Sequence, residues 1–480
     1  MIAPHQKTIL SHSATFAPTP SFQGVEGISN IHLVGVCGAG MKALAELLME
    51  RGCKVTGSDL AAESPSLASM QLKGLRFHSG HHDRFLSPHT DLLVHSPAVQ
   101  AANPERRMAQ RLGIPQLSYA EMLGKLMQQK VGVSVAGTHG KSTTTAMVAS
   151  ILNEENCSAL IGAELCDSGK SGWVGKGELL VVESCEYQRS FLNLNPRYAI
   201  INGIEEDHFD YFQNKTDLTN AFSQFAMQVD ATGLLLVQGD CATSKQIAQS
   251  ASANVVTYSL EHGSDWWGTD IKQTPTGQRF RVFHSGEFVT EITIQLPGRH
   301  NINNALASVA LCCEMGVSPN TVRERLVEFA GIRRRFEFVG SWRGVTLLDD
   351  YAHHPTAVAA TLQAARQQFG NRRIWCAFQP HQVSRTKALM NKFSESFNEA
   401  DNILIAPVFA AREELNEELE TISSQLAEKI SLKGNAVKGT LSLDQIVTTL
   451  EDEGRPGDVL ITMGAGDIDR VHHELTNKLQ

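Results

Sequence analysis

The 480-residue sequence contains no stretch approaching the roughly 18 consecutive apolar residues that a membrane span requires. It has no surplus of positive charge: 42 basic residues face 51 acidic ones, a formal net charge of −9. The electrostatic footprint of a nucleic-acid binder is therefore missing, and any polyanionic ligand must be held by a local site against the overall field. No C-x-x-C pair occurs among the nine cysteines, an odd number. Free thiols in a reducing cytosol, hence a cytoplasmic protein, are the expectation. Residues 1–27 lack the charged-then-apolar-then-cleavage order of a signal peptide; rich in Ser, Thr, Pro, His and Gly, they read as a flexible tail. There is no internal repeat and no long low-complexity tract. With 42% hydrophobic and 19% charged residues, the composition excludes a disordered chain, a fibrous protein and a disulfide scaffold. The length predicts about three domains rather than one core.

What is present starts with Ile31-His-Leu-Val-Gly-Val-Cys-Gly-Ala-Gly-Met41. An apolar strand runs into a glycine-rich turn, and Leu44, Leu47 and Leu48 then recur at helical spacing. A second strand at 54–57 leads to Asp59. This is the layout in which N–H groups at a helix start hold a pyrophosphate and a carboxylate about 20 residues on meets a sugar. The glycines run G-x-x-G-x-G, not G-x-G-x-x-G, which weakens a nicotinamide-cofactor reading; a purely structural tight turn stays open. Cys37 reads as a small residue in a crowded turn. A further strand at 92–94 ends at His95-Ser96-Pro97.

A helix is expected across 118–129, and a second α/β unit opens at Val131-Gly-Val-Ser-Val-Ala-Gly-Thr-His-Gly-Lys-Ser-Thr-Thr-Thr145. Val135 stands where the strict G-x-x-x-x-G-K-[ST] pattern has its first glycine, but Gly140, Lys141 and Ser142 remain. This is a phosphate-binding loop: successive N–H groups cradle phosphate oxygens, Lys141 reaches the γ-phosphate, and the Ser142 hydroxyl is suited to Mg²⁺. Leu179-Leu-Val-Val-Glu183 is a buried-type strand ending in an acid, and Tyr198-Ala-Ile-Ile-Asn202 leads to Gly-Ile-Glu-Glu-Asp-His208. Glu183 and His208 are metal-ligand candidates. A solvated strand end and a structural hydrogen bond are their respective alternatives. Asn301 and Asn304 share one face at the start of a helix, where two amides suit an adenine edge or, more plainly, helix capping.

Strands are expected at 233–237, 255–258 and 280–283, then at 345–348, 374–378, 403–407 and 459–463. The last four end in polar loops: Asp349-Asp-Tyr-Ala-His-His-Pro-Thr356, Gln379-Pro-His-Gln-Val-Ser-Arg385, Val408-Phe-Ala-Ala-Arg412 and Gly464-Ala-Gly-Asp467. Ligands of open parallel sheets bind at such carboxyl ends. Arg333, Arg334 and Arg335 in an acidic chain invite a phosphate role, against the alternative of a solvated basic turn.

Together these segments resemble the Mur ligase family over about residues 28–470. The resemblance rests on Gly35–Met41, Ala136–Ser142, Asn202–His208, His300–Asn304, Arg334–Phe336, Asp349–Thr356, Phe378-Gln-Pro-His381 with Ser384-Arg-Thr386, and Gly464–Asp467, in that order. It implies an α/β fold in the three-domain Mur ligase architecture. Residues 28–122 would form a Rossmann-like UDP-sugar-binding domain, 123–331 a central P-loop ATPase domain, and 332–480 a C-terminal Rossmann-like α/β domain for the amino acid. The implied activity is ATP-dependent amide formation in peptidoglycan synthesis, joining L-alanine to the carboxylate of UDP-N-acetylmuramate through an acyl phosphate, with Mg²⁺ or Mn²⁺ as cofactor. A recycling branch that attaches a preformed peptide to the same sugar is the alternative. A monomer or weak homodimer is expected.

The resemblance also implies roles. Gly38, Ala39, Gly40 and Met41 would hold the UDP diphosphate, with Asp59, Ser96 and Glu186 near the sugar nucleotide. Gly137, Thr138, His139, Gly140, Lys141, Ser142 and Thr143 would hold the ATP phosphates. Asn301 and Asn304 would hold adenine, and Arg335 and Asp350 would reach over to phosphate and ribose. Ser142, Glu183 and His208 would hold the metal. His353, His381 and Arg385 would surround the alanine, with Lys141, His208, His353 and Arg385 as the catalytic set. The sequence departs from the family pattern at Cys185 and Gln188, which replace two acids, and at Gln382-Val383 after His381. No lysine lies between 216 and 244, which fits the alanine-adding branch.

Overall fold

A computed structural model describes residues 27–60, 65–411, 413 and 417–477. Residues 1–26 of the tail expected at 1–27 lie outside the described residues.

Three sheets are stacked along the chain. The first holds β1 (Asn30–Val34), β2 (Lys54–Asp59), β3 (Arg76–Ser79), β4 (Leu92–His95) and β5 (Gln116–Ser118). All its pairs are parallel in the order β3-β2-β1-β4-β5, so the strand order reverses beside β1, where the glycine loop leaves the sheet. The second sheet holds β6 (Val131–Ala136), β7 (Cys157–Leu160), β8 (Gly172–Trp173), β9 (Leu179–Glu183), β10 (Tyr198–Ile201), β11 (Leu234–Gln238), β12 (Asn254–Ser259), β13 (Trp266–Thr274), β14 (Gly277–His284) and β15 (Glu287–Ile294). Its P-loop strand β6 lies between β10 and β9. The third holds β16 (Glu337–Trp342), β17 (Val345–Asp350), β18 (Ile374–Phe378), β19 (Asn402–Ile405), β20 (Val437–Thr440) and β21 (Val459–Met463). Only its edge strand β16 runs antiparallel.

The strands that are legible as apolar runs are those buried on both faces. β6, β10, β11, β18 and β21 are almost wholly buried, as parallel strands covered by helices must be. The antiparallel meander β13–β15 differs from expectation. A strand was anticipated only at 280–283, yet three long strands form, because each alternates a buried and a solvated face and so carries half the apolar signal.

The first two sheets share a core. Leu44, Leu47 and Leu48 of the helix Ala39–Glu50 pack in one cluster with Leu160, Leu180 and Val182 of the central sheet. Glu46 completes the join: its Oε2 accepts from the Ser171 N–H and hydroxyl, each at 2.8 Å, and from the Gly172 N–H at 3.1 Å. A methyl on Gly172 would sit 2.1 Å from the Ala43 carbonyl oxygen, so the backbones touch. The third sheet has its own cores, built around Phe378, Phe393 and Phe397 on one face and Trp375 and Leu460 on the other.

Candidate active site

The carboxyl ends of all three sheets open into one cleft of about 1480 Å³. The central wall is the turn between β6 and the helix Lys141–Asn156. Gly140 sits at φ +75°, and a side chain there would meet Asn304 Oδ1 at 2.3 Å, so only glycine lets the loop close on the helix Arg299–Glu314. Asn202, at the end of β10, donates from Nδ2 to the His139 carbonyl at 3.0 Å and is itself fixed by the Tyr258 hydroxyl at 2.9 Å. The first turn of the helix Lys141–Asn156, whose N–H groups have no partner within the helix, lines the cleft together with Thr138 and His139.

Lys141 lies across this loop. Its ammonium donates to the carbonyls of Gly137 at 2.6 Å and Thr138 at 3.2 Å, and pairs with Glu186 at 3.0 Å. Burial would raise the Glu186 carboxyl, but Lys141 and then His208 outweigh it and hold it at about 2. Burial would lower the Lys141 ammonium, and Glu186 more than offsets that. Glu186, expected near the sugar nucleotide, is the counter-ion of the P-loop lysine, because a nearly inaccessible carboxylate needs a cation at contact.

Ser142, Glu183 and His208 line the same wall. Glu183 spends Oε2 on the Gly162 N–H at 2.9 Å, which leaves its other oxygen for the cleft. His208 approaches Glu186 at 3.5 Å, and its Nδ1 is buried without a hydrogen-bond partner. A hydroxyl, a carboxylate and an imidazole with an unsatisfied nitrogen fit a hard divalent cation. The tightest donor group around His208, however, is Cys185, Glu186 and His208 rather than Glu183.

At the first-domain end, Ala39 and Gly40 reach the cleft and Gly38 caps the helix Ala39–Glu50 through its backbone alone. A methyl on Gly40 would stand 2.7 Å from the Tyr119 ring. The Met41 side chain is buried in the shared core, so its backbone is what can face a ligand. Asp59 accepts from the Cys37 N–H at 2.8 Å, and Ser96 packs on Gly35, so both brace the loop. Behind them Glu105 and His32, both fully buried, form a network with Ser58 and His81 that the sequence reading missed.

The third domain closes the cleft. All three adjacent arginines line the cleft, and both Arg335, at 5.0 Å, and Arg334, at 5.4 Å, lie over the Tyr351 ring. Arg334 also binds Asp349 and the carbonyls of Gly464 and Gly466, and Arg333 pairs with Glu337. Asp350 accepts from the N–H groups of Phe336 and Ala352, and burial pushes its carboxyl up to about 6 against the pull of Arg335. Asn301 donates to the Pro297 carbonyl and Asn304 to Asn301, leaving both at the cleft wall.

Arg385 is buried and bonded to Asp207 at 2.6 Å and to His381 at 3.0 Å. It holds the Asp207 carboxyl well below the usual range despite burial. The His353 ring lies 5.7 Å from that of His381, and burial followed by Arg385 keeps it neutral, far below the usual imidazole range. Asp207 was missed as a partner: 178 residues separate it from Arg385, and no local signal links them. Glu205, His139 and His354 also converge, from two domains.

Three family domains match the chain in order: the Mur ligase family catalytic domain over residues 30–131, the Mur ligase middle domain over 135–312, and the Mur ligase glutamate ligase domain over 334–466. The UDP-N-acetylmuramate–L-alanine ligase of Desulfitobacterium hafniense is 39% identical, covering 93% of this chain and 99% of the relative. That of Salinibacter ruber is 38% identical over 94% and 95%. Among solved structures, the UDP-N-acetylmuramate–alanine ligase of Thermotoga maritima superposes with a TM-score of 0.81 at 25% identity, covering 94% and 99%. A murein peptide ligase from Psychrobacter arcticus superposes with 0.71 at 25% identity, covering 94% and 98%.

Proposed function

The chain belongs to the Mur ligase family, and from that premise we infer that it joins L-alanine to the carboxylate of UDP-N-acetylmuramate in peptidoglycan synthesis, with ATP as co-substrate. The observation that carries the reading is the single cleft in which a P-loop ammonium, a glycine-rich helix start and the His353–His381–Arg385 group face one another.

The reaction runs in two steps. The sugar carboxylate attacks the γ-phosphorus of ATP, giving an acyl phosphate and ADP. The alanine amine then attacks the acyl carbon, and phosphate leaves from the tetrahedral intermediate. Phosphoryl transfer depends on charge held around the transferring oxygens. Lys141 supplies that charge once phosphate displaces Glu186 from its ammonium. Thr138, His139, Gly140, Ser142 and Thr143 offer backbone N–H and hydroxyl donors at the helix start, where the dipole favours anions. Mg²⁺ or Mn²⁺, held by Ser142, Glu183 and His208, would screen the phosphate oxygens. Asn301 and Asn304 take the adenine, and Arg335 and Asp350 take phosphate and ribose. Asp350 accepts from the Phe336 and Ala352 N–H groups and so faces the ribose as an acceptor. Gly38, Ala39, Gly40 and the Met41 backbone take the diphosphate of the sugar nucleotide. Arg385 and His381 orient the amino acid beside neutral His353.

We assign residues 28–122 to the sugar nucleotide, 123–331 to ATP and 332–480 to the amino acid. The cysteines, all free, support a reducing, cytoplasmic setting. The test is phosphate release from ATP and UDP-N-acetylmuramate with L-Ala, L-Ser, Gly or a tripeptide. Release with L-Ala is expected; release with the tripeptide alone would move the chain to the recycling branch.

A further inference from the structure

Glu205, on the loop after β10, presents one oxygen to two imidazoles. His139 Nε2 of the P-loop and His354 Nδ1 of the third domain each lie 3.7 Å from Glu205 Oε2. That separation is too long for a good hydrogen bond. His139 Nε2 is nevertheless buried and has no hydrogen-bond partner. The rings are tilted by 54° with centroids 4.7 Å apart, so they converge rather than stack. The donor atoms all fall within 4.8 Å of one another. A tetrahedral ion with bonds of about 2.0–2.1 Å needs ligand–ligand edges of about 3.3–3.4 Å. The two edges to Glu205, at 3.7 Å, are thus too wide for direct bonding and a few tenths of an ångström from those of a coordination shell, and the third edge is at most 4.8 Å.

The surroundings orient the donors. His354 Nε2 faces the Glu206 carbonyl at 3.4 Å, and donating there leaves the Nδ1 lone pair toward Glu205. That lone pair also accepts from the Thr356 N–H at 3.4 Å, capping the helix Pro355–Phe369, so an ion there would replace this long contact. Thr356 Oγ1 donates to Glu205 Oε2 at 2.7 Å and fixes the carboxylate. Two imidazoles and one carboxylate are the donor set of a borderline-soft cation, not of Mg²⁺, which prefers oxygen.

We propose that His139, Glu205 and His354 form a site for one Zn²⁺-class divalent cation, distinct from the Ser142, Glu183 and His208 set, with a fourth position open to the cleft. His139 and Glu205 belong to the central domain and His354 to the third. The ion therefore staples the two domains and holds the cleft shut.

Cobalt(II) titration of the metal-free full-length protein tests this. One equivalent should develop the intense visible bands of tetrahedral cobalt, and Glu205→Gln and His354→Gln should each abolish them. Zn²⁺ affinity, by equilibrium dialysis, should fall at least as far as the roughly 10–100-fold lost when a second-shell partner is removed. Zn²⁺ should also lower the radius of gyration of the unsubstituted protein and leave Glu205→Gln unchanged; far-ultraviolet dichroism identifies any variant that has not folded. Bands that persist in both folded variants overturn the proposal. A thiolate-to-cobalt band in the near ultraviolet does so too, since it would assign the ion to Cys185, Glu186 and His208. Mg²⁺-dependent phosphate release by Glu205→Gln, measured alongside, separates this result from a failure of the ligase reading.

Discussion

Lys141 holds the charge balance of the cleft, and two predictions follow from its contacts. Lys141→Ala removes the cation proposed to face the transferring phosphoryl group, and kcat should fall by about two orders of magnitude or more, by analogy with other lost charge stabilisers; near-normal turnover in a phosphate-release assay would remove Lys141 from the chemistry. Glu186→Gln leaves that ammonium without its counter-ion. The Glu186 carboxyl is depressed to about 2, so its contribution is full above the ordinary glutamate value near 4.5 and is lost as pH falls toward 2. The variant should be less stable by about 3 kcal/mol at pH 7. Denaturant midpoints should show that deficit shrinking below pH 4.5 or so; a deficit that grows on acidification would contradict the pairing. The P-loop residues were legible in the sequence because a short local pattern carries their chemistry. Asp207 was not, because its role depends on Arg385 arriving from another domain. Nor was the pairing of Glu186: the sequence shows an acid, while only the fold sets it beside Lys141.

Among elements, the helices Ala39–Glu50 and Tyr119–Met127 meet where Gly40 faces the Tyr119 ring. Gly40→Ala must push the ring or the helix start aside. The cost should be about 1–3 kcal/mol of stability, typical of overpacking. The KM for UDP-N-acetylmuramate should rise more than that for ATP; equal changes in both would point to a global defect instead. The same scale explains which elements the sequence disclosed. β1, β6, β10, β18 and β21 announce themselves as apolar runs because both faces are covered. β3 and β5 are short and only half-buried, and β13–β15 alternate, so their signal is diluted. The strand–loop–helix repeat was readable, and with it the carboxyl-end rim on which nearly every candidate residue lies. The pairing order of the strands was not, since it depends on contacts far apart in the chain.

For the whole molecule, the contacts around the cleft are unequal. The first and central domains share an apolar core and the Glu46 clasp. The third meets the central domain through Arg385 with Asp207, Thr356 with Glu205 and the Phe209 side chain packed on the third domain's own core. Asp207→Asn should therefore loosen only the third domain: small-angle scattering should show a larger radius of gyration, and ATP with UDP-N-acetylmuramate should restore the smaller one. An unchanged radius would mean the pair is incidental. Denaturation should proceed in more than one step, the third domain separately from the other two. The Glu46 clasp has a mechanical consequence. It makes a vice with one fixed jaw and one sliding jaw. With the ligands placed as proposed, the sugar nucleotide and ATP would rest against the fixed jaw and keep their register through an opening stroke, and the travel would fall on the side that delivers the smallest substrate.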